Sequence, residues 1–150
     1  MQRVAEFRPS GVPLAYRGGM NPVSLNVLVV EDAQCIRDVL VEMFETEGVA
    51  VSSAATLEEA KHVLAHQVFD LIVTDIRLGA RRDGGLQVMA ASGFLSPEAT
   101  VIALTAFPDD EIRGASRRLG ATHFLEKPVP LEQLSALAAQ AGVPTAITPR

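Results

Sequence analysis

The sequence predicts an α/β domain in which helices cover both faces of a five-stranded parallel sheet. The main observation is that strand-like and helix-like hydrophobic patterns alternate five times along the chain. Because the connections between them are short, the strands are expected to run parallel and to be joined by crossover helices. The composition agrees, since 150 residues that are 48% hydrophobic and 21% charged can bury one substantial core.

Five short, mostly apolar runs define the strands. Such runs are typical of strands that are covered on both faces. They are 26–30, 49–53, 71–74, 100–105 and 123–126. The second run alternates only weakly between apolar and polar residues, which favours a position at the edge of the sheet.

Apolar residues three and four positions apart define five helices. These are predicted at 33–47, after the capping box of Thr56 and Glu59, within 86–92, at 108–119 and at 130–141. The inner face of the first helix is expected to hold Ile36, Val39, Leu40, Met43 and Phe44. Gly48 and Gly120 end the first and fourth helices, because glycine readily takes the left-handed conformation that follows a helix.

The two ends of the chain lack periodic patterns. Residues 1–25 contain three prolines and three glycines and are predicted to be a flexible arm. Residues 142–150, which include Pro144 and Pro149, are predicted to be a loose tail. The ordered domain is therefore expected to span 26–141.

Charge and cysteine content argue against several classes of protein. The net charge of −5 argues against nucleic acid as the main partner. The single cysteine, Cys35, rules out an internal disulfide and suits a reducing cytoplasm. No apolar run approaches the roughly 20 residues that span a bilayer, so we expect a cytoplasmic protein without a membrane helix.

Polar residues stand where four of the predicted strands end. Glu31 and Asp32 follow the first strand, Asp75 the third, Thr105 closes the fourth, and Lys127 follows the fifth. In parallel sheets that are wound on both faces, ligands bind outside the carboxyl ends of the strands. We therefore expect three carboxylates, a hydroxyl and an ammonium in one crevice.

Three adjacent carboxylates repel each other unless a cation intervenes, and their oxygen ligands suit Mg²⁺. Together with Lys127 and the Thr105 hydroxyl, such a cation would neutralise three phosphoryl oxygens while a central carboxylate attacks. The predicted chemistry is therefore phosphoryl transfer onto an aspartate. Asp75 is the predicted acceptor because it follows the middle strand.

Four segments, "VLVVED", "LIVTD", "VIALTA" and "HFLEKP", occur in this order on successive strand ends. Together they resemble the response-regulator receiver domain of two-component signalling, a CheY-like superfamily, over about residues 26–141. The resemblance implies a flavodoxin-like, doubly wound sheet with strand order 2-1-3-4-5.

The resemblance also implies a role for each acid. Asp75 would be the phosphoacceptor and a metal ligand, and Asp32 would bind Mg²⁺ directly. Glu31 would hold the metal through water, and the main-chain carbonyl of Arg77 would complete the protein ligands. No further cofactor is implied.

A switch is implied as well. The Thr105 hydroxyl would turn toward the phosphoryl group, and Lys127 would pair with it. The Lys127-Pro128 bond is typically cis in this family. Phe124, three residues before Lys127, matches the aromatic switch position and can report by burial alone, because it lacks the hydroxyl of tyrosine.

The predicted function is that of a stand-alone response regulator. It would take a phosphoryl group from a sensor histidine kinase or a histidine phosphotransfer protein and act on a downstream protein target, as a monomer or weak homodimer. We expect no enzymatic activity beyond self-phosphotransfer and slow self-dephosphorylation. The alternative is a phosphorylation-independent binding module, which should have lost an acid or the lysine. A cofactor binder is disfavoured because Glu31 and Asp32 would repel phosphate.

Each assignment has a simpler alternative. Asp32 could cap the first helix, and Phe124 could be core. His62 and His66 are expected on a solvated helix face, because no third metal ligand is evident. Cys35 is expected to pack in the interior.

The loop after Asp75 departs from the family's usual pattern. The segment "LGARRDGG", 78–85, is one residue longer and more basic than expected. Arg81 and Arg82 are predicted to lie in solvent, with contact to a phosphoryl group as the alternative.

Overall fold

A five-stranded parallel sheet organises the domain, which the computed structural model describes for residues 24–147. The strands are β1 Leu25–Val30, β2 Val49–Ala54, β3 Leu71–Asp75, β4 Thr100–Thr105 and β5 His123–Glu126. They are ordered β2-β1-β3-β4-β5, and every pairing is parallel. The predicted fold class and strand order are therefore confirmed.

Five helices follow the strands in alternation. They are α1 Gln34–Phe44, α2 Leu57–His66, α3 Gly84–Leu95, α4 Asp110–Arg118 and α5 Leu131–Gln140. Helices α1 and α5 contribute buried side chains such as Phe44 and Leu134 to the core on one face of the sheet. Helices α2 and α3 contribute Leu64 and Met89 to the core on the other face. The sheet is therefore covered on both faces, as predicted.

The register of the sheet aligns the carboxyl ends of its central strands. Val30 lies opposite Thr74, Asp75 lies opposite Leu104, and Thr105 lies opposite Glu126. Residues that end these strands or directly follow them therefore meet at one edge. This edge is where the polar side chains of the sequence were expected to converge.

Helix ends follow the predicted capping chemistry. The Thr56 hydroxyl accepts a hydrogen bond from the Glu59 N–H at 3.1 Å, and the Glu59 carboxylate accepts one from the Ala55 N–H at 2.7 Å. At the start of α4, the Asp109 carboxylate accepts a hydrogen bond from the Ile112 N–H at 2.8 Å. Both caps satisfy backbone donors that the first helical turn leaves unpaired.

Two helices differ from their predicted form. In α1, Ile36 and Val39 are 37% and 46% exposed, so the expectation that they face the core is wrong. The sheet covers a narrower stripe of this helix, which Leu40 and Phe44 occupy. Helix α3 spans Gly84–Leu95 and so extends beyond the predicted 86–92, because a single glycine such as Gly93 lowers helix stability without ending the helix.

The described part of the predicted tail is packed. Val143 is fully buried, and the Ala146 N–H donates to the Met43 carbonyl at 2.8 Å. Residues 142–147 thus differ from the loose tail that was expected, because Val143 completes the core under α1 and α5. The predicted arm lies outside the described residues except for residues 24 and 25, as does the tail beyond residue 147. Within residues 24–147, no helix has the length and apolar character needed to cross a membrane.

Candidate functional site: an acidic cluster at the carboxyl edge of the sheet

Three carboxylates meet at the carboxyl edge of β1 and β3. Glu31, Asp32 and Asp75 each place a carboxylate oxygen within 4.8 Å of the others. Glu31 is fully buried and Asp75 is 5% exposed, whereas Asp32 lies in solvent. The structure thus brings together the three acids that the sequence indicated, two of them inside the protein.

Lys127 enters this cluster from the end of β5. Its Nζ donates to Asp75 Oδ2 at 2.9 Å and lies 2.9 Å from Glu31 Oε1. The Lys127-Pro128 bond is cis, as the resemblance implied. One ammonium therefore faces two buried carboxylates, and the cluster with Asp32 carries a formal excess of negative charge.

One oxygen of Glu31 is incompletely satisfied. Its Oε2 accepts a hydrogen bond from the Ala33 N–H at 3.1 Å. Its Oε1 is within ion-pair distance of Lys127, but among the described residues it receives no hydrogen bond of acceptable geometry. A buried anionic oxygen in this condition is costly unless a further positive group approaches it.

Burial controls the protonation of the site. It raises the pKa of the Asp75 carboxyl above its usual value, with Lys127 opposing this effect and the charge of Asp32 adding to it. It likewise raises the pKa of Glu31, again against the opposing effect of Lys127. For Lys127, burial favours the neutral amine, but the neighbouring carboxylates of Asp75 and Glu31 outweigh burial and its pKa is also raised.

The donor set fits a hard divalent cation. All three side chains offer carboxylate oxygens, the ligands that Mg²⁺ and Ca²⁺ prefer. A further cation would stabilise both the Glu31 Oε1, which receives no hydrogen bond from the described residues, and the excess negative charge of the cluster. These features of the acidic cluster support a metal site at this edge of the sheet.

Thr105 lies at the same edge and is 4% exposed. Its hydroxyl oxygen accepts a hydrogen bond from the Phe107 N–H at 3.0 Å, which leaves the hydroxyl proton available for another acceptor. Its carbonyl accepts the Lys127 N–H at 2.7 Å. The hydroxyl and the ammonium are thus carried by neighbouring backbone segments.

Phe124, the predicted switch residue, is half-buried on β5. Its ring packs against the core that α2 and α3 cover. The guanidinium carbon of Arg113 lies 4.5 Å from the ring centroid. Phe124 is therefore both a core contact and the platform for an arginine of α4.

Two glycines of the site were missed by sequence reasoning. Gly85 donates its N–H to the Ile76 carbonyl at 2.7 Å, and a Cβ there would collide with the Asp75 carbonyl oxygen and lie 2.6 Å from Ile76 Cα. The Gly79 N–H donates to Asp32 Oδ2 at 2.9 Å. The pair of glycines at 84 and 85, directly after the loop, was the available signal for a close backbone approach.

The contact with Gly79 also decides the role of Asp32. Ala33 is the N-cap of α1, and within residues 24–147 no side chain makes a cap hydrogen bond there. The alternative that Asp32 caps α1 is therefore wrong. Its carboxylate instead turns toward the loop that follows Asp75.

The loop after Asp75 forms a closed turn. Leu78 and Arg81 exchange backbone hydrogen bonds at 2.9 and 3.0 Å, and Gly79 has a φ of 61°. Arg81 forms a 2.9 Å ion pair with Glu58, which ties the loop to α2. Arg82 is exposed, as expected.

Arg77 and Phe107 lie next to each other at the rim of the site. Both are exposed, and the Arg77 guanidinium carbon lies 5.0 Å from the Phe107 ring centroid. They belong to the segments that follow Asp75 and Thr105. The pair therefore brings together the two loops that leave the carboxyl ends of β3 and β4.

Three residues outside the cluster have simpler settings. His62 and His66 are exposed on α2, as predicted, with His66 Nδ1 2.7 Å from the His62 carbonyl oxygen. Cys35 is exposed on α1, so the expectation that it packs in the interior is wrong.

Comparison with known sequences agrees with this architecture. The family model of the response regulator receiver domain matches residues 27–139. The alginate biosynthesis transcriptional regulatory protein AlgB of Pseudomonas aeruginosa is 33% identical over 114 residues, which cover 76% of this chain and 25% of AlgB. The chain thus spans about a quarter of the length of that relative.

Solved structures have the same fold. A response regulator from Burkholderia pseudomallei, determined with a phosphorylated aspartic acid, a calcium ion and citrate, is 30% identical, with a TM-score of 0.69 over 79% of this chain and 69% of its own. A CheY-like receiver domain from Methanospirillum hungatei is 26% identical, with a TM-score of 0.71 over 79% and 94% of the two chains. Fold, acidic cluster and family match agree: the chain belongs to the response regulator receiver domain family of two-component systems.

Proposed function

We propose that this domain accepts a phosphoryl group on Asp75 from a phosphohistidine of a sensor kinase or a histidine phosphotransfer protein. The observation that carries the proposal is the setting of Asp75. Its carboxylate is buried, bonded to Lys127 at 2.9 Å and within 4.8 Å of oxygens of Glu31 and Asp32. A purely structural ion pair would not need two further acids beside it.

In the proposed reaction a carboxylate oxygen of Asp75 attacks the phosphorus of phosphohistidine. The new P–O bond forms as the P–N bond breaks, and the imidazole leaves with the electron pair and takes a proton from solvent. The Lys127 ammonium, already 2.9 Å from Asp75 Oδ2, would pair with a phosphoryl oxygen. The free proton of the Thr105 hydroxyl would be donated to another.

Mg²⁺ would supply charge neutralisation of the phosphoryl oxygens when bound. Asp32 and Asp75 would hold it directly, and Glu31 would hold it through water. The main-chain carbonyl of Arg77, which accepts no hydrogen bond from the described residues, would complete the protein ligands. The unsatisfied Oε1 of Glu31 supports this assignment.

The output would be a change of the surface near α4 and β5, read by a downstream protein. Thr105 and Phe124 are the proposed switch residues. Thr105 ends β4 and Phe124 lies on β5, and the N–H of Lys127, directly after β5, donates to the Thr105 carbonyl. A phosphorylation-independent binding module is the weaker alternative. It would not require the buried pair of Asp75 and Lys127 that this chain keeps.

Phosphorylation by acetyl phosphate with Mg²⁺ tests the proposal. Intact-mass analysis of the wild-type domain should show one added phosphoryl group that hydroxylamine removes. Asp75→Asn should abolish the addition because an amide is a poor nucleophile. Asp83→Asn, a change to an exposed acid of the same loop, is the matched control and should retain the addition.

Peptide mapping identifies the acceptor. A phosphoryl group on any residue other than Asp75 would contradict the assignment, as would unchanged labelling of Asp75→Asn. Labelling that is independent of Mg²⁺ would contradict the metal assignment.

A further inference from the structure

Two histidines on α2 form a second group of metal-ligating side chains, apart from the acidic cluster. His62 and His66 are four residues apart, and both are exposed. The helix turns Leu57, Ala60 and Leu64 into the core, so the two imidazoles stand on the opposite side, one helical turn apart. Their ring centroids are 4.5 Å apart, with the ring planes tilted by 42°. Two imidazoles therefore lie side by side in solvent.

A backbone contact fixes the tautomer of one of these rings. His66 Nδ1 lies 2.7 Å from the His62 carbonyl oxygen. A carbonyl oxygen accepts hydrogen bonds and cannot donate them, so Nδ1 carries the proton of this contact. In the neutral imidazole the other nitrogen, Nε2, then has a free lone pair. Histidines that bind metals in proteins are commonly held in this way, with one N–H bonded to an acceptor and the other nitrogen on the ion.

The spacing of the pair suits a chelate of one metal ion. Two histidines at positions i and i+4 of a helix share one face, and in helical zinc motifs such a pair binds the same ion. Nitrogen ligands about 2.0–2.1 Å from a Zn²⁺ ion lie within about 4 Å of each other, a separation that rings 4.5 Å apart can provide. Imidazole nitrogen suits Zn²⁺, Cu²⁺ and Ni²⁺, whereas carboxylate oxygen suits Mg²⁺.

We propose that His62 and His66 bind one divalent transition-metal ion, such as Zn²⁺, Cu²⁺ or Ni²⁺. Within residues 24–147, no third carboxylate, thiol or imidazole joins the pair, so water would complete the coordination. The site differs in chemistry from the acidic cluster, which offers only oxygen ligands. The two sites would therefore take different metals, and the histidine site does not depend on phosphorylation of Asp75.

Pulsed EPR with Cu²⁺ nitrilotriacetate tests the ligands directly. The chelator leaves coordination positions free for a pair of imidazoles and holds the ion against single weak ligands. All samples carry Cys35→Ser, because the exposed thiol of Cys35 is itself a soft metal ligand. Excess Mg²⁺ in every sample competes for the acidic cluster. The spectrum of the full chain should show coupling of the copper ion to the nitrogens of two protein imidazoles.

Titration calorimetry with Zn²⁺ in the same buffer measures the contribution of each histidine. His62→Ala and His66→Ala should each weaken Zn²⁺ binding roughly tenfold or more, because the chelate becomes a contact with a single ligand. Both side chains are exposed, so these variants should keep the circular dichroism spectrum of the unsubstituted chain. His123→Ala is the matched control. It removes the remaining histidine of the chain, which lies on β5, and should alter the affinity less than twofold.

Location and stoichiometry complete the test. Addition of Zn²⁺ should move the amide chemical shifts around His62 and His66, with one ion bound per chain. The inference would be overturned by copper coupling to fewer than two protein imidazoles, or by unchanged Zn²⁺ affinity in both histidine variants. An equal loss of affinity in His123→Ala would overturn it too, as would one ion per two chains. Shifts confined to the acidic cluster would place the ion there and remove the histidine site.

Discussion

Replacing Asp32 by Asn should stabilise the domain when no divalent cation is present. Three carboxylates share the site with one lysine, so Asp32 adds a charge that Lys127 does not balance. Asn keeps a side-chain oxygen that can accept the hydrogen bond from the Gly79 N–H. The substitution therefore removes repulsion while leaving the local contact in place.

The size of the effect follows from the distances. Two unit charges at 4.8 Å, the upper limit of the oxygen–oxygen distances in the cluster, interact by about 3.5 kcal/mol at an effective dielectric constant of 20 and by about 0.9 kcal/mol in water. Asp32 has two such repulsions, from Glu31 and Asp75, and one opposing attraction to Lys127. The balance is about one repulsive pair, and solvent exposure of Asp32 places it near the lower limit. We expect a gain of about 1–2 kcal/mol, or roughly 3–8 °C in Tm.

Thermal and urea unfolding in EDTA, with and without added Mg²⁺, measure this gain. In wild type, Mg²⁺ at about ten times its Kd should add about 1.4 kcal/mol. Asp32→Asn should lose most of this increment, so its stability advantage should shrink or reverse as Mg²⁺ rises. Asp38→Asn, at an exposed acid of α1, is the control and should shift the free energy of unfolding by a few tenths of a kcal/mol.

A lower metal-free stability of Asp32→Asn would refute the reasoning. It would mean that the hydrogen bond of the charged carboxylate to the Gly79 N–H outweighs the repulsion. An unchanged response to Mg²⁺ would separately remove Asp32 from the ligand set.

Three further predictions concern protonation, backbone packing and lifetime. Burial raises the pKa values of both buried carboxyl groups in the folded state, so the native state binds protons more tightly than the unfolded chain. The metal-free free energy of unfolding should therefore fall as pH rises above about 4 through these pKa values. Urea unfolding midpoints measured across this pH range should fall less steeply for Asp75→Asn than for wild type. Gly85→Ala should destabilise by about 1–3 kcal/mol in urea unfolding, because its Cβ meets the backbone of β3. Gly93→Ala, in open space on α3, should be neutral or slightly stabilising. Arg77→Asn with Phe107→Glu should shorten the lifetime of the aspartyl phosphate, because the stacked pair at the rim restricts the approach of water. Equal decay rates of the aspartyl phosphate in wild type and in the double variant would show that the two side chains do not restrict water.

The fold was predictable because burial on both faces gives the central strands a continuous apolar pattern. Strands β4 and β5 begin and end at the residues the sequence indicated. Helix faces were less predictable. Periodicity places Ile36 and Val39 on the apolar side of α1, but it does not specify how wide a stripe the sheet covers.

The carboxylates and the lysine of the site were predictable for a topological reason. In a parallel sheet, the first polar residue after each strand must reach the same edge, so Asp75 and Lys127 meet although they are far apart in sequence. The backbone contacts of the site were not predictable. The ion pair of Arg81 with Glu58 and the approach of Gly85 to β3 depend on how the loop folds back, and the hydrophobic pattern contains no information on that path.

The charge balance of the site links its chemistry to the surface near α4. Lys127 is held by two buried carboxylates, and its N–H is bonded to the Thr105 carbonyl at the end of β4. A phosphoryl group on Asp75 would compete for the same ammonium and for the Thr105 hydroxyl, so both residues would respond to one chemical event. Three residues before Lys127, Phe124 supports the guanidinium of Arg113. A shift of β5 would therefore reach Arg113 of α4 through one strand and one aromatic ring.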